Sequence, residues 1–321
     1  HATGGRTGGQ VASGTLIVHP GALGDVLQAV PALLGLRASA SGAPLVFAGQ
    51  PRLGRLLVEL HVVDEARAFD GLGLSALFTD APVPHALAHL ARRFARVVSW
   101  FGSRDANYRT RLAGLGPETI VAPPVPADDT PVWRHLVSTL GLWSIAPPEP
   151  IAPLRIAERA STRPTLVVHP GSGGAWKQWP VSRYAEVIHA IRARRSVDVI
   201  VHQGPADAEA AQRLLALLEG RAAALIGTEL PQLAAALAAA RAYLGGDSGV
   251  SHLAAAVGAP SVILFPSATR RRWEPWSPTA VPIEMTNEGD DVARVIRDLE
   301  SLLGAGDDPA RGGLVTDPAP G

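Results

Sequence analysis

The sequence predicts two doubly wound α/β domains in one chain of 321 residues. Three observations lead there. The first is a repeat: Thr15 to Gly24 reads TLIVHPGALG and Thr165 to Gly174 reads TLVVHPGSGG, identical at seven of ten positions. The second is the form of each copy, a short apolar, β-branched run entering a glycine-rich turn and then a helical pattern, which is how a doubly wound domain begins. The third is size, since 321 residues of which 47% are hydrophobic suit two domains with real cores.

In the first half, a helix is expected from near Asp25 through VLQAVPALLGLRA, with Pro31 bending or restarting it. LVFAG (45–49), ARVVSWFG (95–102) and ETIVAP (118–123) read as strands, LGRLLVEL and ALAHLARRF as helices. The proline-rich stretch 146–164, APPEPIAPLRIAERASTRP, suits an interdomain linker. In the second half the alternation is stricter. VSRYAEVIHAIRAR (181–194) is an amphipathic helix, followed by strand VDVIVHQG, helix ADAEAAQRLLALLEG, strand AALIG, helix LPQLAAALAAA, strand AYLGG, helix SGVSHLAAAVG and strand SVILFP. Such alternation favours a parallel sheet. DVARVIRDLESLL (291–303) is expected as a last helix. The expected division is a flexible start over 1–14, an N-terminal domain over 15–150, a linker over 151–164, a C-terminal domain over 165–303 and a disordered tail over 304–321.

Composition excludes several classes. With no cysteine there is no disulfide scaffold, thiolate zinc site or cysteine nucleophile. No apolar run reaches the ~18 residues of a membrane span, and the start lacks a basic-then-apolar signal. The expectation is a cytoplasmic protein with at most peripheral contact at the inner membrane face. A formal charge of zero argues against nucleic acid as partner. Of the 29 basic side chains only Lys177 is lysine, in a chain whose abundant Ala, Gly, Pro and Arg resemble the usage of a GC-rich bacterial genome. A lysine retained against that background points to specific chemistry.

Ligands of open α/β sheets bind beyond the carboxyl ends of the strands, and four clusters lie there. In His19-Pro-Gly-Ala-Leu-Gly-Asp25, Asp25 is either a helix cap, worth roughly 1 kcal/mol, or a carboxylate general base facing an interdomain cleft. In His169-Pro-Gly-Ser-Gly-Gly-Ala-Trp-Lys-Gln-Trp-Pro180, backbone amides, Ser172 and Lys177 could hold phosphate oxygens, although neither a Walker A loop nor a GxGxxG spacing is present. Trp176 and Trp179 read as packing residues. In Gly245-Gly-Asp-Ser-Gly-Val-Ser-His-Leu253, Asp247 or Ser248 caps a helix whose first turn forms an anion site. His252, one turn inside, either reaches the same anion or is a core histidine. The fourth, Phe265 to Trp273, places Arg270, Arg271 and Arg272 in what reads as a loop after the final strand, able to hold a phosphate or simply solvated. His85 and His89 have i,i+4 spacing but no nearby carboxylate partner for a metal.

Together these residues resemble glycosyltransferase family 9, the ADP-heptose:lipopolysaccharide heptosyltransferase family, of GT-B fold. Three motifs stand in order: Gly21-Ala-Leu-Gly-Asp-Val-Leu27 with Pro31; His169-Pro-Gly-Ser172 followed by Lys177-Gln-Trp-Pro180; and Asp247-Ser-Gly-Val-Ser-His-Leu-Ala-Ala-Ala-Val-Gly-Ala-Pro260. The resemblance implies two Rossmann-like domains facing a cleft, acceptor on the N-terminal side and nucleotide-sugar on the C-terminal side. It implies inverting, single-displacement transfer, with Asp25 as general base and Ser172, Lys177, Ser248, Gly249 and His252 holding the donor diphosphate. Asp247 would touch the sugar or shape the turn. Gln203 and Asp207 are ribose candidates, with adenine near Thr228 to Leu230. Gly24, Arg104 and Arg109 are acceptor candidates. The nucleotide-sugar is a substrate, and neither cofactor nor metal is implied; the chain shows no DxD pair to hold one. The acceptor would be a glycan, a lipid-linked molecule or a small molecule. The chain departs from the pattern at His19, where a basic residue is usual, at Pro266, where glycine is usual, and over 95–116, which lacks the basic character expected for a lipopolysaccharide-core acceptor. An epimerase on a similar fold, or a nucleotide binder without turnover, are the alternatives. The first would want further cleft acids around the donor sugar, and the second would bind ADP regardless of Asp25.

Overall fold

A computed structural model describes residues 12–156, 163–286 and 290–304. The chain divides into two compact units, His1–Arg155 and Ile156–Gly321. Residues 1–11, 157–162 and 305–321, where most of the expected flexible start, part of the linker and nearly all of the tail fall, lie outside the described residues.

The first unit runs β1 (Thr15–Val18), α1 (Leu23–Gln28), α2 (Val30–Ser39), β2 (Leu45–Gly49), α3 (Pro51–Glu59), β3 (Glu65–Ala68), α4 (His85–Ala91), β4 (Arg96–Ser99), α5 (Ala106–Ala113), β5 (Glu118–Val121) and α6 (Val132–Ser138). Its sheet has the order β3-β2-β1-β4-β5 and every pairing is parallel. Register aligns Val18 with Ala48 and with Ser99, so three strands release the chain at one level. β1 and β2 are buried throughout, as expected of central strands covered on both faces. The break expected at Pro31 falls two residues earlier, at Ala29. Pro31 sits in the first turn of α2, where its missing N–H costs nothing.

The second unit runs β6 (Thr165–His169), α7 (Val181–Arg194), β7 (Asp198–Gln203), α8 (Ala208–Leu217), β8 (Ala223–Ile226), α9 (Leu230–Ala238), β9 (Ala242–Gly246), α10 (Gly249–Ala256), β10 (Ser261–Phe265), α11 (Ser267–Trp273), β11 (Ala280–Glu284) and α12 (Asp290–Gly304). The order β11-β10-β9-β6-β7-β8, all parallel, is that of a dinucleotide-type fold. Its core joins Leu166, Val168, Val199, Val201, Leu244, Val262 and Leu264 from the strands to Ile188 and Ile191 of α7 and Val295 and Leu299 of α12. Two expectations are corrected. SVILFP is not the last strand, because β11 extends the sheet beyond it, and the arginine cluster after β10 is a short helix rather than a loop. No helix among the described residues is long and apolar enough to cross a membrane.

Candidate active site

In the second unit β6 and β9 are neighbours from which the sheet winds in opposite directions, and ligands of such sheets bind beyond the strand ends at that point. His169 pairs in register with Gly245, so the glycine-rich turn after β6 and the start of α10 lie side by side. Two glycines make the approach possible. A Cβ on Gly245 would stand 2.2 Å from the Tyr243 hydroxyl, and one on Gly171 would stand 2.2 Å from the Asp207 carboxyl carbon.

Lys177 closes a single 3₁₀ turn, Ala175–Lys177, and its Nζ lies 2.9 Å from Asp247 Oδ2. The contact is an ion pair whose angles fall outside those of a hydrogen bond. Asp247 is buried and Lys177 partly exposed, so the carboxylate anchors the ammonium at the strand ends while its outer side still meets solvent. Trp176 is 63% exposed, with Lys177 Nζ 5.4 Å from its ring centroid. Trp179, by contrast, is 2% exposed and packs edge-on against Tyr184 at 4.9 Å. The packing reading therefore holds for Trp179 and fails for Trp176, whose ring has no core to enter.

Ser248 caps α10, accepting from the Ser251 amide at 3.3 Å. Ser251 donates to the Gly246 carbonyl at 2.5 Å and bonds the buried Tyr243 hydroxyl at 2.9 Å, which fixes the strand-to-helix turn. Gly249 follows as the first helical residue; the amides of this first turn have no earlier carbonyl within the helix to bond. His252 is buried, and that burial holds its pKa down at about 4 against the opposing pull of Asp247. At neutral pH it is an uncharged hydrogen-bonding group. Ser172 gives its hydroxyl proton to the Gly174 carbonyl at 2.7 Å, within its own turn.

Gln203 ends β7, and its side-chain oxygen is buried without a partner among the described residues. Asp207 faces inward: it receives a hydrogen bond from the Ser172 backbone and lies 3.6 Å from His169 Nε2. Burial raises its pKa against the opposing pull of His202 and of the Ser172 amide. His169 and His202 meet at 3.1 Å through their Nδ1 atoms, and burial lowers both to about 4. This group braces the turn from beneath, a role the sequence reading did not give Asp207. Thr228 and Leu230, both half-buried, follow β8. Gln203 and Thr228 thus lie at the carboxyl ends of the neighbouring strands β7 and β8, while Lys177 meets Asp247 beyond β9.

The first unit repeats the plan with different chemistry. His19 is buried beneath its turn, its Nδ1 accepting from the Gly21 amide at 3.3 Å and burial holding its pKa at about 4. Where the second unit has Asp207, the first has Gln50, whose amide donates to the Gly21 carbonyl at 3.0 Å and the Pro20 carbonyl at 3.4 Å. Asp25 is the third residue of α1, and its Oδ2 accepts from the Ala22 amide at 2.9 Å. It thus satisfies a backbone group ahead of the helix, from inside the first turn rather than from the cap position. Gly24 precedes it in α1. Among the acceptor candidates, Arg109 donates to the Ser103 carbonyl, while Arg104 is exposed with no ion pair among the described residues. Arg270 lies 3.8 Å from Glu284. No group of three or more His, Cys, Asp or Glu able to hold a metal occurs among the described residues.

Known proteins resemble the chain over part of its length in sequence and over nearly all of it in fold. The family model described as glycosyltransferase family 9 (heptosyltransferase) matches residues 149–300, which hold both the Lys177 turn and α10. That stretch, just under half of the chain, is similar to glycosyltransferase family 9. Lipopolysaccharide heptosyltransferase 3 of Escherichia coli is 31% identical over 117 residues, 35% of this chain and 34% of that protein. The matched stretches span about a third of the length of such curated relatives. Over the whole molecule the likeness is one of fold. The structure of E. coli ADP-heptose lipopolysaccharide heptosyltransferase II superposes with a TM-score of 0.72 at 22% identity, covering 90% of this chain and 98% of that one. The glycosyltransferase family 9 structure from Veillonella parvula DSM 2008 gives 0.70 at 17% identity, covering 92% and 98%. The fold is GT-B, two parallel α/β units in succession.

Proposed function

We propose that this chain transfers a sugar from a nucleoside diphosphate donor to an acceptor hydroxyl with inversion, the donor being ADP-heptose. The observation that supports this most is the only lysine in the chain, anchored by Asp247 beside the start of α10 at the switch point of the second unit. An ammonium and a helix N-terminus on one spot suit two phosphate groups. In the reaction the acceptor oxygen forms a bond to the anomeric carbon as the bond from that carbon to the diphosphate breaks. The acceptor proton goes to Asp25, and the electron pair leaves with the diphosphate. Lys177 and the α10 amides stabilise the negative charge developing there, with Ser172, Ser248 and neutral His252 as hydrogen-bond partners. Gln203 and the stretch Thr228 to Leu230 then meet the nucleoside, with Asp207 behind them holding the turn. Charge stabilisation is assigned to these groups and needs no metal.

The test is transfer measured beside binding. Asp25→Asn should lower ADP release from ADP-heptose in the presence of acceptor by at least a hundredfold, since a positioned general base contributes about 10²–10⁴, while ADP affinity stays within twofold. Full activity in the variant would remove the base assignment. Failure of ADP to raise the thermal midpoint at millimolar concentration would remove the donor reading.

A further inference from the structure

Beyond the carboxyl ends of β4 and β5 the first unit holds a cavity of about 450 Å³, walled by Phe78, Trp100, Phe101, Pro123 and Val125, with Arg104 also on its lining. The walls are fixed. Phe101 stands edge-on to Phe69, Phe78 and Tyr108 at 4.9, 5.7 and 5.5 Å. Gly102, at φ +70°, presses on the Tyr108 ring so closely that a Cβ would come within 2.4 Å. Three of the six phenylalanines of the chain meet here, in a protein only 5% aromatic. Trp100 is the wall shared with the Asp25 turn, its ring 5.7 Å from that of His19.

Most polar groups around the cavity are already engaged. Trp100 Nε1 donates to Thr139 at 3.0 Å, the Tyr108 hydroxyl bonds Ser99 at 2.9 Å, and Asp105 Oδ1 accepts from the Tyr108 amide at 2.8 Å as cap of α5. Arg109 and Arg111 donate to the Ser103 and Ala81 carbonyls. What remains for a ligand is mostly aromatic and proline surface, with the Arg104 guanidinium, the Ser103 hydroxyl and the second carboxylate oxygen of Asp105 at its polar side. A polyhydroxylated sugar-phosphate acceptor would find too few replacement hydrogen bonds against these walls for the hydration it loses. The volume lies within the ~300–1,000 Å³ of small-molecule sites.

We propose that the acceptor is a small, ring-bearing apolar molecule with one acidic group held by Arg104 and a hydroxyl that takes the sugar. This rests on the glycosyltransferase reading above. Bond changes are those of the displacement already described, with the acceptor hydroxyl proton going to Asp25.

Two dyes test it: 1-anilinonaphthalene-8-sulfonate, and N-phenyl-1-naphthylamine, which has the same rings without the anion. The full chain should bind both at one saturable site. Val125→Trp, which fills the cavity, should weaken both by tenfold or more. Arg104→Glu, at an exposed position that leaves folding intact, should weaken only the sulfonate. Sulfonate binding unchanged in both variants would overturn the inference, as would its displacement by glucose 1-phosphate at lower concentration than by 4-hydroxybenzoate. ADP binding without dye binding defeats this proposal alone; dye binding without ADP binding defeats the glycosyltransferase reading and, with it, the role of the cavity as an acceptor site.

Discussion

Lys177 owes its position to two local features, the 3₁₀ turn that ends on it and the buried carboxylate of Asp247. Replacing it with alanine removes a charged partner for the diphosphate, and ADP affinity should fall by about 1.5–3 kcal/mol, tenfold or more. An unchanged dissociation constant by calorimetry would contradict that role. Trp176, exposed beside it, should report the same event: ADP should quench tryptophan emission, and Trp176→Phe should abolish most of the change although six tryptophans remain. Gly171 is tied to Asp207 by space alone. Gly171→Ala should cost about 1–3 kcal/mol through overpacking, read as a lower urea midpoint, and much of that should return when Asp207 is also shortened to alanine. Two of these three positions were legible in the sequence, Lys177 as a compositional oddity and Gly171 as part of a repeat. The partnership with Asp207 was not, because 36 residues separate it from Gly171 and only the pairing of β6 with β7 brings the two loops together.

Central strands were the most legible elements, edge strands the least. Central strands β1, β2, β6, β9 and β10 are wholly buried and stand in the sequence as unbroken apolar runs. β3, reading EARA and exposed at every residue, was missed because an edge strand with no buried face leaves no pattern. β11, an edge strand of the second unit's sheet, carries Pro282 and is mostly half-buried, so it too was hidden. Helices α5 and α6 also went unread. α10 shows the opposite case: its cap, glycines and apolar face all point one way. Ser248→Ala should destabilise it by about 1 kcal/mol, visible as a lower thermal midpoint, and should weaken ADP binding as well, a pairing that a purely structural cap would not produce.

At the scale of the whole molecule, four histidines, His19, His169, His202 and His252, are held by burial at about 4, well below the ordinary 6.5. Their charged neighbours also matter, Asp207 raising His202, and Asp247 raising and Lys177 lowering His252, but burial dominates in each. The unfolded chain therefore takes up protons between about pH 6.5 and 4 that the folded chain refuses. Stability is full above that window and falls as pH drops through it, each fully responding site adding up to about 1.4 kcal/mol per unit. A thermal midpoint that stays flat from pH 7 to 4.5 would contradict this; His169→Gln should make the decline shallower. By itself the sequence determined the two-unit α/β plan, the order of the central elements and three motifs that resemble those of glycosyltransferase family 9, because each depends on local periodicity or on residues close together in the chain. Only the tertiary structure decided that Lys177 is anchored by Asp247, that Asp207 turns inward to His169, and that aromatic residues scattered from Phe69 to Tyr108 enclose a cavity. Those relations depend on which strand lies beside which, and parallel pairing places side by side loops that the sequence keeps far apart.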